Sequence, residues 1–157
     1  MGGMSRLKPG DAAPAFSLED QSGNVVKLSD FSGRKLLVYF YPQADTSGCT
    51  VQSCAVRDAR EDLSSLGVDV VGISPDEPQD QAAFDVKFHL GFPLLADRGH
   101  AVAEDWGVWG EKMNYGKKYM GIVRSAFVIN EQGKIAGAFY KVSPKATVAV
   151  VTEALRG

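Results

Sequence analysis

The chain has 157 residues, 45% of them apolar and 23% charged, with a formal net charge of −2. That length is enough to bury one substantial core, and the slight acidity argues against nucleic acid or an anionic membrane as the main partner. No apolar run approaches the ~18 residues of a membrane span, and the stretch Met1–Gly10 lacks the apolar core of a signal peptide, so a cytoplasmic protein is expected.

Residues 5–157 read as a single domain and residues 1–4 as a flexible N-terminus, because no repeat, low-complexity tract or linker interrupts the pattern. Apolar alternation around Phe16–Leu18 and Val25–Leu28, on either side of the turn-like Gln21–Asn24, predicts an N-terminal hairpin. Leu36–Tyr41 is a continuous apolar run and predicts a strand buried on both faces. From Cys49 to Leu66 the spacing of Val51, Cys54, Ala55, Ala59 and Leu63 predicts a helix, stopped by Gly67. A strand at Val68–Ser74, a helix at Gln79–Phe88, a short strand at Leu94–Ala96 and a short helix at His100–Trp106 follow. Val108–Gly121, rich in Gly, Lys and Tyr, reads as an irregular loop. Ala126–Ile129 and Ile135–Tyr140 form a second hairpin around Asn130–Gly133, and a helix at Lys145–Leu155 ends the chain. This order predicts a thioredoxin-like α/β fold: a central mixed sheet flanked by helices, with an N-terminal β-hairpin extension.

Both cysteines, Cys49 and Cys54, fall in the first turns of the first long helix. A secreted disulfide framework would carry more cysteines and close longer loops, whereas a bridge over five positions stabilises little. Redox chemistry is the better reading. Asp45, Thr46 and Ser47 are candidate N-caps, and the free N–H groups and dipole of the helix start favour a thiolate at Cys49, the nucleophilic form. Pro42 fixes the backbone at the exit from the strand. The hydroxyl of Thr46 can donate and accept at once, so it can touch a sulfur and a bound oxygen together. In an intact helix a five-residue step rises ~7.5 Å and leaves the Cα atoms ~8.6 Å apart. A disulfide requires less than ~7 Å, so the pair can close only if the helix locally unwinds.

Pro42-x-x-x-Thr46-x-x-Cys49 matches the active-site motif of the peroxiredoxins. Phe40-Tyr41-Pro42 and Gly48-Cys49-Thr50-x-Gln52-x-Cys54 resemble the peroxiredoxin Q type, also called bacterioferritin-comigratory protein. Further likeness lies in Gly10-Asp11-x-Ala13-Pro14, Val71-Gly72-Ile73-Ser74-x-Asp76, Phe92-Pro93-Leu94-Leu95-x-Asp97 and Gly121-Ile122-x-Arg124-Ser125-x-Phe127. The resemblance implies that Cys49 attacks a hydroperoxide and becomes a sulfenic acid, and that Cys54 resolves it as an intramolecular disulfide. It implies that Arg124 orients the peroxide and holds the thiolate, that Thr46 hydrogen-bonds the peroxide, that Pro42 shields the site and that Gln52 helps to position Arg124. It further implies recycling by thioredoxin or another dithiol, a monomer, and no metal or organic cofactor. Two positions depart from the family pattern: Ser47 stands where proline is common and Ala126 where threonine is common.

The remaining signals read as structure. His89 and His100 lie apart from the cysteines and form no zinc-type cluster. Trp106, Trp109, Tyr115 and Tyr119 are expected in core or loop packing, and the glycines between Gly107 and Gly121 follow no phosphate-binding pattern. The rival functions are a disulfide reductase, disfavoured because the spacing is not C-x-x-C, and a redox sensor or holdase that begins from the same oxidised cysteine.

Overall fold

The computed structural model describes residues 6–156, so the expectation for residues 1–4 lies outside the described residues. The elements are β1 (Ser17–Glu19), β2 (Val25–Lys27), β3 (Lys35–Phe40), α1 (Ser47–Ser65), β4 (Val68–Ser74), α2 (Pro78–Phe88) and β5 (Leu94–Ala96). They continue with α3 (Ala101–Asp105), β6 (Trp109–Asn114), β7 (Lys117–Ile122), β8 (Ser125–Ile129), β9 (Ile135–Phe139) and α4 (Thr147–Arg156). Seven strands make one mixed sheet in the order β2-β1-β5-β4-β3-β8-β9. At its centre β3 runs parallel to β4 and antiparallel to β8, so the apolar run that follows Lys35 is hydrogen-bonded on both edges.

The period-two alternation of β3 divides the core. Leu37, Tyr39 and Tyr41 point to the side that holds Val56 and Leu63 of α1, Phe84 of α2 and Val151 of α4. Leu36, Val38 and Phe40 point to the opposite side, where Trp106, Val108, Phe127 and Phe16 pack. Gly72 of β4 lies opposite Tyr39 in the register, and a Cβ there would come within 2.8 Å of the Tyr39 ring. A side chain at that position would evict the tyrosine, which explains a glycine inside a central strand.

Both predicted hairpins form, β1–β2 and β8–β9. The expectation of an irregular loop over 108–121 is wrong: β6 and β7 pair antiparallel in a sheet of their own. Their two-residue turn, Tyr115 and Gly116, has both φ angles positive at 52° and 78°, as a type I′ hairpin requires. The sequence hides the hairpin because its strands lack the apolar alternation of a half-buried sheet; Met113, Tyr115, Tyr119 and Met120 are exposed. Tyr115 and Tyr119 therefore do not pack as expected, whereas Trp106 is wholly buried and Trp109 stacks on His100 at 3.6 Å.

The inward face of α1 differs in part from the sequence expectation: Leu63 and Ala59 meet the core as expected. Val51 is 41% exposed, and Gln52 and Ser53 are wholly buried beside Cys49 and Val56. Buried polar groups defeat a reading by apolar spacing; each is admitted because it has a hydrogen-bond partner.

Candidate active site

The chain leaves β3 through Tyr41, whose amide still donates to the Ile73 carbonyl, and turns at the half-buried Pro42. The loop that follows is tied down at two points. The Ala44 amide donates to Asp76 Oδ2 at 2.7 Å, and Lys87 pairs with Asp45 at 2.9 Å. Asp76 is in turn fixed by the Ser74 hydroxyl at 2.6 Å, and Ser74 accepts from the buried Gln81 amide.

Thr46 occupies the N-cap position of α1, but its hydroxyl donates to the Gln43 carbonyl at 2.8 Å and makes no cap bond with the helix. Its side chain stiffens the loop, a correction to the capping expectation. The first bond of the helical ladder runs from the Thr50 amide to the Thr46 carbonyl. Cys49 is the third residue of α1, so its own amide belongs to the unpaired donors of the helix start. Ser47, where the family commonly has proline, is an exposed first helical residue, and Ala126 is buried in β8 against β3.

Arg124 reaches Cys49 from the short connection between β7 and β8. Its Nη1 donates to Cys49 Sγ at 3.4 Å and to Gln52 Oε1 at 2.8 Å. The Gln52 amide donates through Nε2 to Thr147 Oγ1 at 3.1 Å. Gly48 makes room for this arrangement: a Cβ there would lie 3.0 Å from Arg124 Nη2 and 3.5 Å from Pro144 Cγ. Backbone bonding supports the arginine too, because the Val142 amide donates to the Arg124 carbonyl.

The sulfur of Cys49 is wholly buried, while Cys54 is half-buried, and both cysteines are free. α1 runs unbroken through the two positions, so the spacing bar to a disulfide applies to this conformation. Beneath the helix, Tyr39 OH and Ser53 Oγ share a hydrogen bond of 2.8 Å, and Tyr39 stacks on Tyr41. Burial pushes both phenols above the ordinary tyrosine range.

Beside Arg124 a groove of about 470 Å³ opens, walled by Lys112, Met113 and Lys118 of the β6–β7 hairpin and by Lys141. Lys112 donates to the Ile122 carbonyl at 2.8 Å, and burial, aided by repulsion from Arg124, pulls its ammonium below the ordinary lysine range. Among the described residues no group of three His, Cys, Asp or Glu side chains could hold a metal ion.

The structure thus brings together Cys49, Arg124 and Gln52, and places Thr46 and Pro42 on the loop that leads into α1. Sequence reading missed Gly48, Thr147 and Lys112 as neighbours of the site. Gly48 lay within the quoted motif; the other two carried no local signal.

Residues 9–138 match the AhpC/TSA family. Peroxiredoxin Bcp of Escherichia coli K12 is 53% identical over 136 residues, 87% of each chain. Among solved structures, peroxidoxin BcpB from Mycobacterium tuberculosis superposes with a TM-score of 0.86 at 33% identity, covering 96% of this chain and 97% of that one. The bacterioferritin comigratory protein of Xanthomonas campestris, described for its alkyl peroxide reduction activity, gives 0.84 at 29% identity over 90% of each chain. Both the family match and the fold span the cysteine, the helix that carries it and the strand behind it, so this chain belongs to the AhpC/TSA family of peroxiredoxins, the thiol-dependent peroxidases.

Proposed function

We propose that this peroxidase works by a two-cysteine cycle confined to one chain, with Cys49 as the attacking thiol and Cys54 as its resolving partner. The observation that carries the reading is the placement of one guanidinium nitrogen within hydrogen-bond reach of both Cys49 Sγ and Gln52 Oε1. Arg124 favours the thiolate and presents its remaining donors to a peroxide. Such a substrate approaches along the groove that Arg124 borders, which has room for an organic hydroperoxide as well as hydrogen peroxide.

In the first step the Cys49 thiolate attacks the terminal oxygen of ROOH. An S–O bond forms, the O–O bond breaks, and RO⁻ leaves and takes up a proton as ROH. The sulfur, oxidised by two electrons, is then a sulfenic acid. The Cys54 thiolate next attacks that sulfur, hydroxide leaves as water, and the Cys49–Cys54 disulfide forms. A dithiol protein of the thioredoxin type returns two electrons by thiol–disulfide exchange, in a reducing compartment such as the cytoplasm. Pro42 and Thr46 shape the loop over the thiol.

The test is peroxide-dependent NADPH oxidation with a thioredoxin system. Cys49→Ser abolishes turnover with every reductant. Cys54→Ser loses thioredoxin-supported turnover but still consumes one equivalent of peroxide. Arg124→Ala slows the peroxide step by about 100-fold, the scale seen when a fixed transition-state donor is removed. Normal turnover by Cys49→Ser would overturn the mechanism, and wild-type behaviour of Cys54→Ser would overturn the resolving role.

A further inference from the structure

Gln52 is wholly buried, and a buried amide has two different ends. Which end faces Arg124 decides whether that contact attracts or repels. The answer comes from α4. Thr147 is also wholly buried, and its hydroxyl donates to the Ser143 carbonyl at 3.0 Å. A hydroxyl has one proton, and a carbonyl can only accept. With its proton committed to Ser143, Thr147 can offer Gln52 only a lone pair. The NH₂ of Gln52 must then point at Thr147, which turns Oε1 toward the Arg124 guanidinium. The opposite orientation would set amide N–H groups against guanidinium N–H groups inside the protein, where unpaired donors are costly.

We propose that Thr147 is a positioning residue for Arg124, acting through the side-chain amide of Gln52; this rests on the peroxidase reading above. The chain of donors runs one way, from Arg124 to Gln52 to Thr147 to the Ser143 carbonyl, and each hydrogen bond fixes the sense of the one before it. Its far end is a backbone oxygen that cannot reverse. Thr147 stands in the chain between Val142 and Val151, both buried in the apolar core, and a valine has the shape of threonine without the hydroxyl. The Ser143 carbonyl gives the hydroxyl a local partner of its own, and what the hydroxyl adds beyond that is the orientation of Gln52. The link joins residues 95 positions apart and ties the C-terminal helix to the reacting cysteine.

The experiment measures peroxide consumption in a single turnover by the pre-reduced full chain, for wild type, Thr147→Val, Thr147→Ser, Gln52→Ala and the double variant Gln52→Ala/Thr147→Val. Thr147→Val is expected to lower the second-order rate constant roughly tenfold, the order expected when one buried hydrogen bond in a charged chain is lost. Thr147→Ser restores it, because the hydroxyl is back in place. In the Gln52→Ala background Thr147→Val has no further effect, since nothing remains for it to orient. Thr147→Ala, which adds no atom, gives the same loss and serves if the valine variant fails to fold. An unchanged rate in Thr147→Val, failure of the serine to rescue, or a full additional loss in the Gln52→Ala background overturns the relay. A wild type that consumes no peroxide overturns the peroxidase reading itself, and the relay with it.

Discussion

At Gly48 helix propensity and site geometry pull in opposite directions. An alanine in α1 would favour the helix by up to ~1 kcal/mol, which for a chain of this size raises the melting temperature by roughly 2–4 °C. The same Cβ would meet Arg124 Nη2 at 3.0 Å. The yielding atom is the end of a flexible side chain, so the protein folds and the guanidinium moves. Gly48→Ala is therefore expected to fold with little net change in melting temperature, the helix gain being offset by strain on the Arg124–Gln52 bond. It should nonetheless react with peroxide about tenfold more slowly, a displacement cost of the size that small misplacements near reacting atoms carry. Calorimetry and single-turnover kinetics on the same sample check this; a stabilised variant with an unchanged rate would show that Arg124 tolerates the shift. At this scale the residues of the proposed cycle were legible in the sequence because the cysteines, Arg124 and Gln52 stand in recognisable motifs. Thr147 was not, because a threonine at a helix start is ordinary and its meaning comes only from Gln52 across the fold.

At the scale of elements, α1 is pinned where the proposed Cys49–Cys54 disulfide would have to open it. Gln52 is held by Thr147 and Arg124, and Ser53 by Tyr39, and both pins lie between the two cysteines. Val56 and Leu63 anchor the rest of the helix in the core. Oxidation to a Cys49–Cys54 disulfide should break the first turns alone. In hydrogen exchange, amides of the Cys49–Cys54 segment are expected to lose protection on oxidation, while those from Val56 to Leu63 keep it. Equal protection in both redox states would remove the unwinding step from the mechanism. Sequence pattern found this helix and part of its inward face, Ala59 and Leu63, but took the exposed Val51 for a core residue and passed over Gln52 and Ser53, which look like surface residues. It also missed β6 and β7, whose exposed methionine, tyrosine and lysine side chains give no buried stripe to detect. Strand β4 was legible to the residue because its length, its apolar run and its closing Pro75 agree.

For the molecule as a whole, the sheet is a partition with a full core on each side, and its tyrosines set a limit in alkali. Tyr39 and Tyr41 are wholly buried and their phenols are pushed upward by burial. In the unfolded chain both ionise near pH ~10. Their contribution to stability is complete below that pH. Above it the unfolded state sheds protons that the folded state retains, so stability falls as pH rises. Urea unfolding between about pH 8 and about pH 11 is expected to show this decline, with a shallower slope in Tyr39→Phe; an unchanged slope would mean that Tyr39 ionises in the folded protein. The same architecture dictates when the site comes into being. Arg124 follows Cys49 by 75 positions and arrives with β8, the strand that closes the far edge of β3. On the ribosome the cysteine emerges long before its guanidinium. A nascent chain, or one caught half-folded, carries the thiol without the guanidinium beside it, so on the proposed mechanism the finished sheet is what arms the enzyme.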